Sequence, residues 1–294
     1  MLECLKEKEI LNIKDLSVKY KNFYALRDIN LSIKEKEILA ICGESGSGKT
    51  TLCKVISGIE KYSGKINFYK NIKIEFIFQD PSSSLNPRMN IFDIISEPLI
   101  VREKIYDRKI INEKINNCIK EVGLNPDVLS KYPHQISGGQ KQRVAIARSI
   151  ISEPDILICD EITSSLDISI SAQILNLIKD IYEKRKITII FVSHDISAVY
   201  YISTDTIILY RGIIIEKGKT KNIIENPKHP YTKLLVSSIL SLKKNEKITT
   251  QNNISTLSMC IFSDKCPFYS NECNNYENKL KKISEDHYVR CIKI

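Results

Sequence analysis

The pattern of apolar and polar positions changes along the chain. From about residue 10 to residue 240, apolar runs of strand length alternate with stretches of helical spacing. This alternation predicts an α/β fold with a mainly parallel sheet covered by helices. Ile10–Ile33 is rich in β-forming residues and predicts an antiparallel β patch beside that sheet. We expect one large domain over residues 1–242, a polar linker over 243–257 and a Cys-rich C-terminal region over 258–294.

Residues 91–152 lack the pattern of a strand. Apolar residues recur at helical spacing in Ile91–Leu99, Arg108–Val122 and Lys141–Ile151. We therefore predict a helical subdomain inserted between strands of the large domain.

A Gly-rich loop follows the apolar strand Ile38–Cys42 and precedes a helix that we predict from Lys49 to about Ser57. Such a loop turns its backbone N–H groups inward and binds phosphate at the start of the helix. Lys49 reaches the β- and γ-phosphates, and the hydroxyl of Thr50 holds Mg²⁺. The nucleotide-binding residues predicted here are Gly43, Glu44, Ser45, Gly46, Ser47, Gly48, Lys49, Thr50 and Thr51.

Two carboxylates, Asp160 and Glu161, end the apolar strand that begins at Ile156. Open α/β sheets bind their ligands at this end of their strands. Neighbouring residues of a strand point in opposite directions, so the two carboxylates have different roles. Asp160 is expected to hold Mg²⁺, and Glu161 to accept the proton of the attacking water.

A second cluster of small residues precedes the predicted helix Lys141–Ile151. Backbone N–H groups at a helix N-terminus attract anions. One triphosphate does not need two such sites in one chain, so we expect this one to face the γ-phosphate held by another chain. Its residues are Ser137, Gly138, Gly139 and Gln140.

Three single polar residues complete the predicted site. Gln79 follows the strand Ile74–Phe78 and can contact Mg²⁺ or the water, and His194 follows another strand and can bond the γ-phosphate. Asp167 lies shortly after Glu161 and is expected to contact a partner chain. Each residue type is common at surfaces and helix caps, but their order at strand ends favours the functional interpretation.

Composition and charge narrow the possible partners. The chain has 294 residues and a formal net charge of +9. Its positive residues lie beside acidic ones rather than in a basic stretch with aromatics, so we expect no nucleic-acid partner. The apolar runs are far shorter than the ~18 residues of a membrane span. The N-terminus lacks an apolar signal core, so a cytosolic chain is expected.

Taken together, these motifs resemble the ATP-binding subunits of ABC transporters. The resemblance implies a P-loop α/β core, a helical subdomain that carries the family's signature motif, and two such domains sandwiching two ATP molecules head to tail. The signature of this chain is the segment 136–140, Ile-Ser-Gly-Gly-Gln. It also places Tyr20 where an aromatic side chain stacks on adenine. The chain departs from the family pattern at Ile136, where Leu is usual, and at Ile162, where Pro is usual. Neither departure removes a catalytic group.

Two further segments resemble the importer branch for oligopeptides, dipeptides and nickel. They are Gln79–Arg88 and Asn226–Thr232. The resemblance implies two membrane-spanning permease subunits, a second and non-identical ATPase subunit, and an extracellular substrate-binding protein. It places the chain peripherally on the cytoplasmic face of the cell membrane. Peptides and nickel or metal–chelator complexes both stay open as cargo.

The last part of the chain holds four of its nine cysteines: Cys260, Cys266, Cys273 and Cys291. Disulfides are disfavoured in the cytosol, and the close Cys pairs typical of zinc sites are absent. Four cysteines with looser spacing can hold an iron–sulfur cluster, and some members of the importer branch are thought to do so. A [4Fe-4S] cluster is the explanation that we favour, four reduced, structural thiols are its main alternative, and zinc also stays open.

Three other functions compete with an importer ATPase. A DNA-repair ATPase of the same superfamily needs a long heptad-patterned insertion between the phosphate loop and the signature, and this segment is too short for one. A regulator of translation usually carries two ATPase domains, and this chain has one. A redox or metal sensor that merely keeps the fold would not require Glu161 and His194.

Overall fold

The computed structural model describes residues 8–240, 260–275 and 279–294. The predicted linker over 243–257, the first residues of the predicted Cys-rich region and Cys4 lie outside the described residues. The division into a domain over 1–242 and a C-terminal region stays a prediction.

Strands and helices alternate along most of the described chain. The strands are β1 (Glu9–Tyr20), β2 (Phe23–Lys34), β3 (Ile38–Cys42), β4 (Ser63–Phe68), β5 (Ile74–Ile77), β6 (Ile156–Asp160), β7 (Thr188–Ser193), β8 (Asp205–Tyr210), β9 (Ile213–Lys219), β10 (Lys281–Ser284) and β11 (His287–Val289). The helices are α1 (Lys49–Ile56), α2 (Pro81–Ser84), α3 (Ile91–Val101), α4 (Arg108–Glu121), α5 (Gly138–Ile150), α6 (Ile168–Arg185), α7 (Ile196–Ile202), α8 (Thr220–Glu225) and α9 (Pro230–Leu240). Short 3₁₀ turns lie at Pro126–Ser130, Pro133–Gln135 and Asn271–Asn275. Within the part of the chain that the structure describes, no helix combines the length and the apolar character of a bilayer span.

The chain divides into two compact units. The signature unit comprises Met1–Leu11, Ile33–Glu37 and Phe68–Phe191. The phosphate-loop unit comprises Asn12–Ser32, Ile38–Asn67 and Val192–Ile294. The predicted α/β fold class with an antiparallel β patch is confirmed.

The phosphate-loop unit is built around β3, of which every residue is buried. Strand β3 pairs in parallel with β8, and β8 pairs antiparallel with β9. A strand buried on both faces is typical of the centre of a parallel sheet. A separate sheet has the order β2-β1-β4, and its strands lie mainly in this unit.

The signature unit contains β5 and β6, which pair in parallel. The register aligns Phe76 with Ile158 and Ile77 with Cys159. Each of the three segments with helical spacing forms a helix, namely α3, α4 and α5. Asp107 caps α4 by accepting hydrogen bonds from two backbone N–H groups of its first turn, which satisfies donors that a helix start leaves open.

The C-terminal residues form a hairpin, β10–β11, that the hydrophobic pattern does not predict, because every residue of β10 is exposed. Strand β11 adds to the edge of β9. A buried hydrogen bond supports this addition: Nε2 of His287 lies 2.7 Å from Oε1 of Glu216, whose side chain is 0% exposed. The Cys-rich segment is therefore anchored on the phosphate-loop unit.

Candidate nucleotide-binding and hydrolysis site

The phosphate loop connects β3 to α1, and its glycines are required sterically. A Cβ atom on Gly43 would lie 2.2 Å from the carbonyl oxygen of Leu209. Gly48 has a φ of +104°, and a Cβ atom there would lie 2.6 Å from the carbonyl oxygen of Ala25. No side chain caps the start of α1, so its first N–H groups face the loop, where an anion binds.

The side chain of Lys49 is enclosed by the backbone of the phosphate loop. It is buried, and Nζ donates hydrogen bonds to the carbonyl oxygens of Gly43, at 2.8 Å, and Glu44, at 3.0 Å. The next residue, Thr50, is exposed at the first turn of α1. This arrangement gives the predicted site one ammonium group for phosphate and one hydroxyl for Mg²⁺.

Two contacts to the phosphate loop are not predicted by the sequence. The hydroxyl of Tyr231 accepts a hydrogen bond of 2.9 Å from the backbone N–H of Glu44. The backbone N–H of Gly212 donates to the carbonyl oxygen of Ser47, also at 2.9 Å. Tyr231 belongs to the segment Asn226–Thr232, whose resemblance to the importer branch assigns this residue no role. Only the fold brings it to the loop.

Residues around the start of α9 fix the position of Tyr231. Glu216 accepts hydrogen bonds of 2.9 Å from the backbone N–H groups of Lys228 and His229. Nδ1 of His229 in turn accepts one of 3.0 Å from the N–H of Tyr231. Burial lowers the pKa of His229 to about 4, so the ring is neutral at pH 7 and Nδ1 keeps the lone pair that this bond needs.

The remaining predicted residues of the phosphate-loop unit are His194 and Tyr20. His194 is exposed directly after β7, as predicted. Tyr20 ends β1, and its hydroxyl lies 2.6 Å from Oε2 of Glu60. This hydrogen bond is the main reason why the pKa of Tyr20 is raised, while a side-chain hydrogen bond with Thr51 of the loop opposes the shift. Tyr20 therefore lies beside α1.

In the signature unit, the C-terminal ends of β5 and β6 lie side by side. Because Ile77 is paired with Cys159 in the parallel register, Gln79 and Glu161, two residues further along, come side by side. Nε2 of Gln79 donates a hydrogen bond of 3.2 Å to Oε2 of Glu161. Asp160 ends β6 with a side chain that is 4% exposed. Gln79 and Glu161 are thus neighbours in this unit.

A tight turn sets the direction of Glu161. Its φ is +48°, a conformation that costs free energy for a residue with a side chain. Ser164 stabilises the turn, because its backbone N–H and its hydroxyl both donate to the carbonyl oxygen of Glu161, at 3.1 Å and 2.9 Å. Ile162, which stands where the family usually has Pro, is buried beside it. Ser164 supports the site, although its serine-rich surroundings gave no sequence signal.

The signature starts its helix three residues earlier than the spacing predicts. Helix α5 begins at Gly138 rather than Lys141 because Ser137 and Gln140 form a capping box. The Ser137 hydroxyl accepts from the N–H of Gln140, and Oε1 of Gln140 accepts from the N–H of Ser137. Gly138 is exposed, and no acidic residue occupies the first turn of α5. The N-terminus of α5 is thus open to an anion from outside.

Asp167 caps α6. Its Oδ1 accepts hydrogen bonds from the backbone N–H of Ile170 and the hydroxyl of Ser169, at 2.9 Å and 2.8 Å. The bond from Ile170 is the main reason why the pKa of Asp167 is lowered. The predicted contact of Asp167 with a partner chain stays a prediction. Beside it, the side chain of Ile168 is 91% exposed, which is unusual for so large an apolar residue.

The four C-terminal cysteines converge on one small cavity of about 20 Å³, together with His229 and Phe262. Burial raises the pKa of Cys260 and of Cys291, and it raises that of Cys266 to about 11. For Cys260, Cys266 and Cys291, burial therefore favours the protonated thiol. Among the described residues, no group of three or more His, Cys, Asp or Glu side chains is arranged to hold a metal ion.

Comparison with known proteins identifies the family. Residues 26–164 match the family described as ABC transporter, and residues 215–273 match the C-terminal region of oligopeptide/dipeptide transporters. The chain is 35% identical to the oligopeptide transport ATP-binding protein OppF of Salmonella typhimurium, over 98% of this chain and 97% of that protein. It is 36% identical to the dipeptide transport ATP-binding protein DppF of Haemophilus influenzae, over 96% and 92% of the two chains.

Solved structures of ABC transporter ATPases also resemble this chain. One is a dimeric post-hydrolysis state of the ATP-binding cassette MJ0796 bound to ADP and Pi, with a TM-score of 0.65 and 29% identity over 71% of this chain and 98% of that one. Another is CbiO1 of Clostridium perfringens, part of the ABC transporter complex CbiONQ, with a TM-score of 0.67 and 30% identity over 81% and 96%.

ATPase subunits of ABC importers use ATP with Mg²⁺, dimerise and work with membrane permeases. The matched regions include the phosphate loop and the signature, and they extend from residue 215 to residue 273 near the C-terminus. The chain therefore belongs to the oligopeptide/dipeptide family of ABC transporter ATP-binding subunits and is an ATPase.

Proposed function

We propose that the chain hydrolyses ATP with Glu161 as the general base. The observation that carries this assignment is the position of Glu161 beside Gln79 at the ends of two paired strands. Glu161 orients the attacking water and accepts its proton, while Gln79 and His194 hold the water and the γ-phosphate. Lys49 neutralises charge on the β- and γ-phosphates. The turn held by Ser164 keeps the Glu161 carboxylate in place.

The magnesium ion fits the oxygen groups that the chain offers. Asp160 supplies a buried carboxylate at the end of β6, Thr50 an exposed hydroxyl and Gln79 an amide oxygen. Magnesium prefers such oxygen ligands together with water and phosphate. When bound, it offsets the negative charge that develops on the phosphate oxygens.

The signature acts on the ATP of a partner subunit. The N-terminus of α5 is exposed and free of acidic residues, which suits a γ-phosphate that arrives from another chain. The almost fully exposed Ile168 next to Asp167 supplies an apolar contact at the same interface. Two ATPase subunits then enclose two nucleotides head to tail. The second subunit is a non-identical chain of the same family.

The complete complex is an importer, and this chain lies on the cytoplasmic face of the cell membrane. This chain binds there peripherally, through two membrane-spanning permease subunits, and an extracellular protein delivers the cargo. Peptides are the cargo that the names of the relatives favour, since OppF and DppF are oligopeptide and dipeptide transport proteins. Nickel or a metal–chelator complex is the alternative cargo.

Transport in proteoliposomes tests the cargo. The complex that copurifies with this chain is reconstituted with its binding protein, and uptake of a labelled oligopeptide and of labelled nickel is measured with and without ATP. We expect ATP-dependent accumulation of the peptide. Accumulation of nickel alone would show that the peptide assignment is wrong.

We further propose that the four C-terminal cysteines bind a [4Fe-4S] cluster. Four thiols that line one cavity are a ligand set that such clusters use. In the described conformation these side chains do not form a metal-binding group, so the segments that carry them must rearrange around the cluster. Ligation would stabilise a segment too short to fold on a hydrophobic core alone.

Anaerobic purification tests the cluster. We expect brown protein with about four irons per chain, and Cys266→Ser should remove the colour and the iron but keep ATP binding. Cys118→Ser is the matched control, because Cys118 lies outside the cavity, on α4. Protein with zinc alone, or with neither metal, would contradict the iron–sulfur assignment.

A further inference from the structure

The C-terminal segment, defined here as residues 260–275 and 279–294, is connected to the phosphate loop through Tyr231 of α9. The ring of Phe262, from this segment, packs edge-on against the ring of Tyr231 at a centroid distance of 5.7 Å. The hydroxyl of Tyr231 is bonded to the N–H of Glu44. Phe262 also lines the cavity of the four cysteines. A chain of direct contacts thus leads from that cavity to the loop.

The rings around Tyr231 leave it little freedom. Tyr231 and Phe262 are both fully buried, and the ring of Tyr210 lies 4.6 Å from that of Tyr231 and 5.3 Å from that of Phe262. Three aromatic rings in mutual contact hold one another in place. Removing one ring would let Tyr231 move, and its hydrogen bond to Glu44 would weaken.

A second connection runs in parallel through the turn between β8 and β9. The guanidinium group of Arg211 donates to Oδ2 of Asp264 at 2.8 Å and to the carbonyl oxygen of Ile261 at 3.2 Å, and both acceptors belong to the C-terminal segment. The neighbouring Gly212 donates to the carbonyl oxygen of Ser47 in the loop. The segment therefore holds both Tyr231 and this turn against the loop.

We propose that Tyr231 is a positioning residue for the phosphate loop, and that the C-terminal segment holds Tyr231 in place through Phe262 and so sets the affinity for ATP. The inference rests on the nucleotide site proposed above. The hydroxyl of Tyr231 occupies a backbone donor at the start of the loop, so the loop is held in one conformation before phosphate arrives. When the loop is already ordered, ATP binding costs less conformational free energy and is therefore tighter.

Nucleotide affinity and amide exchange test the role of Tyr231. The full chain is titrated with a fluorescent ATP analogue as wild type, Tyr231→Phe and Tyr200→Phe. Tyr231→Phe keeps the ring and removes only the hydroxyl, so we expect about fivefold weaker binding, the effect of one hydrogen bond, and faster exchange of the Glu44 amide proton. Tyr200→Phe is the matched control, because its hydroxyl bonds Glu225 at the surface, and it should bind as wild type does.

A double-mutant cycle tests the connection to the C-terminal segment. Phe262→Leu should weaken binding about twofold to threefold in the wild-type chain and add nothing in the Tyr231→Phe background, because both changes act through one contact. Phe268→Leu is the control within the same segment, since Phe268 is 57% exposed. Circular dichroism checks that each variant is folded.

The outcomes separate the two claims. Unchanged affinity in folded Tyr231→Phe would overturn the positioning role of Tyr231, and equal losses from Phe262→Leu in both backgrounds would overturn its connection to the C-terminal segment. In either case, binding by the wild-type chain would still uphold the nucleotide site. Failure of the wild-type chain itself to bind the analogue would overturn the site and this inference with it.

Discussion

Replacing Glu161 by Gln is expected to slow ATP hydrolysis about 10²- to 10⁴-fold, because a positioned general base contributes rate enhancements of that size. Gln keeps the shape of the side chain and its hydrogen bond with Gln79 but cannot accept a proton. ATP and Mg²⁺ should bind as before, since Lys49 and Asp160 are unchanged. The variant should therefore accumulate as an ATP-bound closed pair.

Phosphate release by the assembled transporter, measured alongside ATP binding, checks this expectation. Glu225→Gln is the matched control, since Glu225 is a surface carboxylate bonded to Tyr200, and it should retain normal turnover. Turnover by Glu161→Gln close to that of wild type would show that Glu161 is not the base.

Replacing Gly138 by Asp is expected to slow hydrolysis at the partner's nucleotide about 10²-fold, a loss similar in size to that of one donor to a developing oxyanion. A Cβ atom at Gly138 would meet only Cδ2 of Leu166, at 3.9 Å, and Asp is favourable in the first turn of a helix. The fold should therefore tolerate the change. The new carboxylate would repel the γ-phosphate that the signature is proposed to contact.

Vanadate trapping of a photoreactive ATP analogue reports hydrolysis in each subunit separately. We expect Gly138→Asp to remove label from the partner subunit, whereas the isolated variant still binds nucleotide at Lys49. Gly138→Ser adds a side chain without a charge and should keep most of the activity. If the isolated Gly138→Asp chain lost its own ATP binding instead, the signature would serve its own site and the head-to-tail model would be wrong.

Most of the fold can be predicted from the sequence because the residues of each strand, loop and helix specify that element locally. An apolar strand, a Gly-rich loop and a helix follow one another at β3, Gly43–Gly48 and α1, and each element is specified by its own residues. The same holds for α3, α4 and α5 of the signature unit. The boundary at α5 differs because Ser137 and Gln140 cap each other, so the glycines join the first turn instead of preceding it.

Contacts between distant parts of the chain could not be predicted in the same way. Nothing in the spacing of Tyr231 indicates that its hydroxyl reaches Glu44, because 187 residues separate them. The hairpin β10–β11 could not be predicted from hydrophobic alternation. It is held instead by the pairing of β11 with β9 and by the buried hydrogen bond between His287 and Glu216. Tertiary structure decides both features.

A structure of the transporter with Glu161→Gln, ATP and Mg²⁺ locates the γ-phosphate and so shows whether two subunits share each nucleotide. We expect this phosphate between Lys49 of this chain and the signature of the partner subunit, with Gln79 beside the position of the attacking water. A γ-phosphate bound by Lys49 and by Ser137 of the same chain, or an ATP molecule outside the phosphate loop, would contradict this expectation.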